Sequence, residues 1–351
     1  MKNLALMLAL AAVFPAAAFA QSAPVEVYGT IDAGLRYQTN VDAAGNNLLS
    51  TTSGNYYSNR LGFRGTENLG NGLNAHFQLE AGFNDKTGAL DNTNNVLFNR
   101  TAAVGVGGAW GSIDIGRQYT VAFRSEKFLD PFDHHYTGII PDASGAGTSL
   151  PAAAKSAGLS ASSNSGTRFN NDVQYTGTFG GLTVRAAYAL GEVADDINKG
   201  TSKSAGFTYS GNALLAAAAY TSKQTPTGFA NDAFIAGGGV KLSAVTVKAG
   251  FSRERQETAA AGTYQIETRF AGIRYQVSKP VDVTAAVYRS NYDSVAGGGT
   301  RELAIVGAAY YFSKRTNVYA ELDLNRYDGA LVPTTKQTTQ RGVSMGIMHS
   351  F

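Results

Sequence analysis

The connections in this chain sort by parity. Segments of alternating apolar and polar residues are joined by tight links at Glu67–Gly72, Gly108–Gly111, Gly177–Gly181, Gly211–Asn212, Ser243–Ala244, Ser278–Pro280 and Ser313–Arg315. These take turns with longer links at Thr39–Tyr56, Asn84–Val96, Gln118–Thr167, Gly191–Lys203, Ser222–Asn231, Glu254–Tyr264, Tyr292–Thr300 and Asp328–Thr338. A soluble sandwich or a propeller has no reason to put every short link at one end. A β-barrel that crosses a membrane does, with tight turns on one rim and long loops on the other.

The segments have a period of two. In the first, Val25, Val27, Ile31, Ala33, Leu35 and Tyr37 share a face, opposite Glu26, Tyr28, Thr30, Asp32 and Arg36. Leu73, Ala75, Phe77, Leu79, Ala81 and Phe83 oppose Asn74, His76, Gln78 and Glu80. Val318, Ala320, Leu322 and Leu324 oppose Asn317, Tyr319, Glu321, Asp323 and Asn325. The expected fold is all-β, a transmembrane antiparallel barrel of about 16 strands. Closure pairs every backbone N–H and C=O between strands, which hydrocarbon requires. A barrel of this size keeps an aqueous lumen. The polar faces then line water and the apolar faces meet lipid. Aromatics near segment ends (Tyr37, Phe83, Tyr188, Tyr220, Tyr275 and Tyr311) read as girdles.

The leader agrees with export. Lys2 precedes the apolar run Leu4–Val13, and Ala18-Phe19-Ala20 forms a small-x-small cleavage site. Residues 1–20 read as a signal peptide, since the apolar run is too short to span a bilayer. Residues 21–351 have one texture throughout and read as one barrel domain. There is no cysteine, so no disulfide framework and no thiolate metal site. Without Lys2 the 29 basic residues become 28 against 26 acidic ones. That balance argues against a nucleic-acid partner.

Gln118–Ser165 interrupts the alternation. It is rich in Gly, Ala and Ser, yet carries Glu126, Asp130, Asp133, His134, His135 and Asp142. A loop this long is usually functional, and it is expected to fold into the tube and narrow it. Alternation turns Arg36, Arg60, Arg64, Arg168 and Arg185 toward the lumen. Arg100 and Arg117 join them where the pattern blurs. Basic wall residues facing Glu126, Asp130 and Asp133 would set a transverse field that biases ion choice. The plainer reading of any one arginine is solvated charge on a polar wall.

Enzyme readings find no support in the residues. The histidines are His76, His134, His135 and His349, and no G-x-S-x-G element surrounds a nucleophile. Gly107-Gly108 and Gly237-Gly238-Gly239 lack the ending of a phosphate loop. His134-His135 have no third ligand at fixed spacing. No enzyme activity, cofactor or metal is expected.

The chain resembles the general porins of Gram-negative bacteria, specifically the trimeric porins of β-proteobacteria. The carriers are Val27-Tyr-Gly-Thr-Ile-Asp32, Asn59-Arg-Leu-Gly-Phe-Arg-Gly-Thr-Glu-Asn-Leu-Gly-Asn-Gly-Leu73 and Phe77-Gln-Leu-Glu80. Phe98-Asn-Arg-Thr-Ala-Ala-Val104, Gly111-Ser-Ile-Asp-Ile-Gly-Arg-Gln118 and Asp130-Pro-Phe132 follow. Tyr311-Phe-Ser-Lys-Arg-Thr-Asn-Val-Tyr319 and Gly346-Ile-Met-His-Ser-Phe351 complete the set. The resemblance implies a homotrimer in outer-membrane lipid and passive diffusion of ions and small hydrophilic solutes. It implies a third external loop folded inward as an eyelet. Matched by motif, Arg60, Arg100 and Arg117 are wall residues accompanied by Glu80, and Asp130 is a loop carboxylate. Glu126 and Asp133 enter by proximity. The balance favours a modest anion preference. The rival readings are a substrate-selective porin and an outer-membrane barrel enzyme.

Overall fold

The structure, a computed structural model, describes residues 25–92, 95–136, 167–258, 262–295 and 297–351. The signal peptide expected at 1–20, and the later half of the long loop with Asp142, lie outside the described residues.

One antiparallel sheet runs through the chain. Its first half holds β1 (Glu26–Gln38), β2 (Leu48–Ser53), β3 (Arg60–Gly70), β4 (Leu73–Gly82), β5 (Thr101–Gly108), β6 (Gly111–Tyr119), β7 (Arg168–Phe179) and β8 (Leu182–Ala189). Then come β9 (Ser202–Ser210), β10 (Leu214–Gln224), β11 (Ala230–Leu242), β12 (Val245–Thr258) and β13 (Gly262–Ser278). The last are β14 (Val281–Asp293), β15 (Gly299–Tyr311), β16 (Thr316–Gly329) and β17 (Thr339–Ser350). β1 pairs with β17, Thr30 opposite Ser350 and Gln38 opposite Gly342, so the sheet closes. The 17 segments fill 16 places. β2 pairs with one end of β1 (Ala33 opposite Ser53), and β3 with the other (Glu26 opposite Arg64). Together they make one interrupted strand.

The alternation has its expected physical meaning at the outer surface. Val27, Ile31 and Leu35 are exposed toward lipid, while Thr30 and Asp32 between them are buried. Four details differ from the sequence reading. Thr39–Tyr56 is not all loop, because β2 lies within it. Three links expected to be long are shortened, because the strands run to Gln224 and from Ala230, to Thr258 and from Gly262, and to Asp293 and from Gly299. Their flanking strands run on past the lipid zone; β13 has 17 residues where a crossing needs ~9–11. Beyond the lipid neither face has to be apolar, so Arg253-Glu254-Arg255-Gln256-Glu257 shows no hydrophobic alternation; Glu254 and Gln256 are buried inward, and the backbone ladder continues. Tyr311 is not an outward girdle residue. Its hydroxyl meets that of Tyr56 at 3.0 Å, and Tyr310 takes the exposed position.

The fourth difference concerns the inner wall. It is not polar all round. Ala187, Ala217, Ala219, Ile235, Phe270, Ala286, Leu303, Ile305 and Ala309 are buried in one apolar cluster with Val121, Leu129, Phe132 and Tyr136 of the long loop. On β15 both faces are apolar: Leu303 and Ile305 are buried inward, and Val306 is exposed outward. The hydrophobic core of this barrel therefore lies between the first half of the loop and the inner face of β8–β16.

Candidate functional site

The long loop begins as a helix, α1 (Val121–Leu129). Thr120 caps it, its hydroxyl accepting from the Phe123 N–H at 3.1 Å. This satisfies one of the donors orphaned at a helix start. Pro131, which cannot continue the backbone ladder, follows the C-cap Asp130. The sequence reading did not anticipate this helix. Its buried face carries Val121, Ala122, Ser125, Glu126 and Leu129. Inward glycines make room for close approach. A Cβ on Gly206 would lie 2.9 Å from the Val121 side chain, and one on Gly272 2.7 Å from Pro131.

Polar contacts fasten the same segment to the far wall. Asp133 receives Lys248 Nζ and, at 2.8 Å, Arg274 Nη1. Lys248 also donates to the Asp130 carbonyl at 3.0 Å, and Arg274 to the Pro131 carbonyl at 3.0 Å. The Asp130 carboxylate accepts from the Tyr288 hydroxyl and from the His134 N–H. Further on, Tyr136 donates to the Ala320 carbonyl at 3.2 Å. These partners sit on β12, β13, β14 and β16, more than a hundred residues from the loop. No local sequence signal links them to it.

A second insertion comes from the break between β2 and β3. Asp32, with no exposed surface, accepts the backbone N–H of Tyr56 and Tyr57 on one carboxylate oxygen. The other oxygen accepts the Tyr319 hydroxyl at 2.6 Å. Residues 54–59 are thereby drawn inward. The Tyr56 ring stacks on Tyr319 with centroids 5.0 Å apart, and the Tyr56 carbonyl accepts from the Tyr136 N–H.

Between the fastened loop and the wall of β3–β9 lies a cleft of about 850 Å³. Its basic lining residues are Arg60, Arg100, Arg124, Lys127, Arg168 and Arg185; its acidic ones are Asp91 and Asp133. Arg100 pairs with Asp91 at 2.6 Å, and Arg60 with Glu80 at 3.5 Å. Asp133 is already held by Lys248 and Arg274. Arg124, Lys127, Arg168 and Arg185 enter no ion pair among the described residues. Arg168 lies over the Tyr119 ring, 4.3 Å from its centroid, and donates to its hydroxyl. Lys127 lies 5.1 Å from the Tyr57 centroid. Aromatic faces can hold cations without neutralising them.

Of the residues singled out in the sequence, Arg60, Arg100, Asp133, His134, Arg168 and Arg185 line this cleft. Glu80 stands behind Arg60, 3% exposed, and accepts from the Tyr28 hydroxyl. Arg117 does not line it. It donates to the Asn99 carbonyl and to Asn170, beside an irregularity in the β6–β7 register that breaks the alternation there. Glu126 is buried on the helix, Asp130 is fully buried as a fastening for the loop, and neither is among the residues that line the cleft. Arg124 and Lys127 were missed as cleft residues. The signal that could have found them is the helical spacing after Thr120, which turns them away from the buried stripe.

The family described as Gram-negative porin matches residues 5–330. The chain belongs to the Gram-negative porins. It is an outer-membrane channel for passive diffusion of small solutes. This porin is 28% identical over 366 residues to outer membrane porin protein 32 of Delftia acidovorans, covering 95% of this chain and 96% of the relative. It is 26% identical over 341 residues to the major outer membrane protein P.IB of Neisseria meningitidis, covering 90% and 91%. Among solved structures, the anion-selective porin from Comamonas acidovorans superposes with a TM-score of 0.78 at 22% identity, over 94% of this chain and 100% of that one.

The docking of the loop is expected to depend on pH, with a sign set by its buried titratable groups. Burial and the nearby Lys127 push the His134 imidazole down from 6.5 to about 3, and burial does the same to His135. Burial pushes Asp130 up from 3.8 to about 6. Burial would also raise Asp133, but Arg274 and Lys248 hold it below its ordinary value. Groups with depressed pKa stabilise docking above their free value and lose that contribution as pH falls. Asp130 acts oppositely, favouring docking as it protonates. Two histidines outweigh one carboxyl, so docking weakens as pH falls below about 6.5. Proteolysis of the loop is expected to be faster at pH 5 than at pH 7, and His134→Gln with His135→Gln should reverse the difference, since Asp130 then acts alone. Equal cleavage of the parent at both pH values would contradict this.

Proposed function

We propose that the cleft is the constriction of the pore, that the loop beginning at Gln118 forms its inner edge, and that it passes anions in preference to cations. The observation that carries this is the charge balance of the lining. Four cationic side chains, Arg124, Lys127, Arg168 and Arg185, form no ion pair among the described residues, whereas both lining acids are paired. An unneutralised cationic wall in a narrow, low-dielectric passage raises local anion concentration and repels cations. Arg60 and Arg100 contribute to the same wall with their charge partly offset by Glu80 and Asp91. Arg117, whose guanidinium is tied to Asn99 and Asn170, shapes the passage through the backbone of β5–β7 rather than as a lining charge.

The test is the reversal potential of single channels in a potassium chloride gradient. Its sign is expected to report chloride as the more permeant ion. A potential of the opposite sign would remove the anion reading. The porin is also proposed to work as a homotrimer in outer-membrane lipid; an outer membrane protein of Vibrio cholerae with the same fold has been solved in a trimer form. Cross-linking in native membranes is expected to stop at three copies.

A further inference from the structure

The break between β2 and β3 puts six residues where β1 leaves room for two. Ser53 is opposite Ala33 and Arg60 is opposite Thr30, so residues 54–59 pass across Ile31 and Asp32 alone. The surplus has no outlet toward lipid, where unpaired backbone N–H and C=O groups find no partner. It turns inward, and Asp32 supplies partners from one end to the other. The Asp32 carbonyl accepts from the Gly54 N–H at 2.8 Å, and the Asp32 N–H donates to Asn59 Oδ1 at 2.6 Å. Between those ends its carboxylate accepts the N–H groups of Tyr56 and Tyr57. The Tyr319 hydroxyl, donating to the second oxygen, holds the carboxylate itself in place.

What this segment carries stands in the passage. Tyr57 and Ser58 line the cleft. The Arg60 guanidinium lies over the Tyr57 ring, 4.4 Å from its centroid, and its Nε donates to the Ser58 carbonyl at 3.2 Å. Lys127, from the loop helix, lies 5.1 Å from the same centroid. One ring therefore serves a cation of the wall and a cation of the loop. The segment meets the loop elsewhere too. The Tyr56 carbonyl accepts from the Tyr136 N–H at 3.0 Å, and the His135 ring lies 4.3 Å from that of Tyr56 and 5.4 Å from that of Tyr57. An aromatic face fixes a cation and leaves its charge in force, whereas a carboxylate in the same place would cancel it.

We propose that Asp32 is a positioning residue for the constriction: by holding Tyr57 against Arg60 and Lys127, this acid makes the passage more selective for anions. The inference rests on the anion reading of the cleft and gives Asp32 an effect opposite in sign to its charge. A carboxylate acting only through its field repels anions, so removing it raises anion preference. A carboxylate acting through residues 54–59 keeps two cations in the passage, so removing it lowers anion preference. The second effect is the larger. Asp32 has no exposed surface, and three donors on its carboxylate offset its field in the lumen, while Tyr57 and the cations it holds stand in the cleft itself.

The test is the chloride-to-potassium permeability ratio of single channels of the intact porin at about 0.1 M salt. In Asp32→Ala the ratio is expected to fall roughly two- to threefold, the share of two lining cations at that ionic strength. Asp32→Asn removes the charge and keeps the hydrogen bonds. Its Oδ1 accepts the two backbone N–H groups, and its Nδ2 donates to the Tyr319 hydroxyl oxygen. The ratio in Asp32→Asn should equal the parent's or exceed it. Tyr57→Leu should fall as Asp32→Ala does, and Tyr57→Phe, which keeps the ring face, should not. A ratio that rises or stays level in Asp32→Ala would overturn the proposal, as would a fall in Asp32→Asn. If Asp32→Ala yields no folded channels, the Tyr57 variants decide, and a Tyr57→Leu ratio equal to the parent's overturns it. A parent that prefers potassium would defeat the anion reading, yet a further shift toward potassium in Asp32→Ala would still uphold the role of Asp32. The two failures are therefore distinct.

Discussion

In the variant Arg124→Gln/Lys127→Gln/Arg168→Gln/Arg185→Gln, the chloride-to-potassium permeability ratio is expected to fall by roughly an order of magnitude. The size follows from Coulomb's law. A chloride ion at about 7 Å from one guanidinium gains about 0.6 kcal/mol in the dielectric of water. Four such charges, with screening at 0.1 M salt halving each contribution, give about 1.2 kcal/mol, or roughly eightfold in local anion enrichment. Repulsion of potassium is lost at the same time, which adds to the change. At 1 M salt the Debye length shrinks to ~3 Å, and the difference between variant and parent should largely vanish. These four positions are the cleanest choice. Neutralising Arg60 or Arg100 would leave Glu80 or the half-buried Asp91 without its cation, and for Glu80, a buried carboxylate, that is costly. That variant would mix selectivity with local loss of structure. The outcome that defeats the proposal is an unchanged permeability ratio in a folded quadruple variant at low salt.

Much of this barrel is legible in the residues because its exterior solvent is hydrocarbon. Lipid demands apolar side chains at every second position, and Val27, Ile31, Leu35, Val318 and Leu322 obey. The tight turns are legible for a related reason, since they need Gly, Asn and Ser where the chain reverses. Legibility fails wherever that demand stops. Above the lipid, Arg253 to Glu257 remain in a strand without alternating. Inside, Leu303 and Ile305 are apolar because a loop covers them, not because lipid does. The break at residues 54–59 rests on one buried carboxylate, Asp32, which in sequence looks like any other polar inward position. For the site, alternation turned Arg168 and Arg185 inward, and both line the cleft. It could not place Arg117, because the register irregularity between β6 and β7 removes the count on which alternation depends. Asp130 was identifiable as part of a motif, yet its burial against Tyr288 is a contact between positions 158 apart in sequence. Such contacts depend on the path of the whole loop, which local periodicity does not encode.

Removing the loop's fastening should change the channel more than any single wall charge. In Lys248→Met/Arg274→Met, Asp133 loses both cations while staying in place against the wall. Breaking a buried ion pair from one side costs about 3–5 kcal/mol. Asp133's side chain is 32% exposed, so water recovers part of that; about 2 kcal/mol is the appropriate figure. That shifts the docking equilibrium roughly thirtyfold toward the released loop. Cleavage of the loop by added protease should accelerate by a similar factor, because cleavage of a transiently opened segment tracks its population. Mean single-channel conductance and open-channel noise should rise together as the inner edge of the passage leaves the far wall. The double variant also removes two lumenal cations, so a conductance change alone would be ambiguous. Gly272→Leu resolves this. It keeps every charge and drives a side chain into the space occupied by Pro131, which a Cβ alone would approach to 2.7 Å. Both variants should release the loop, and only the first should also lower anion preference. If neither variant alters protease sensitivity or noise, residues 120–136 are not held by these contacts, and the inner edge of the passage must be built from something else.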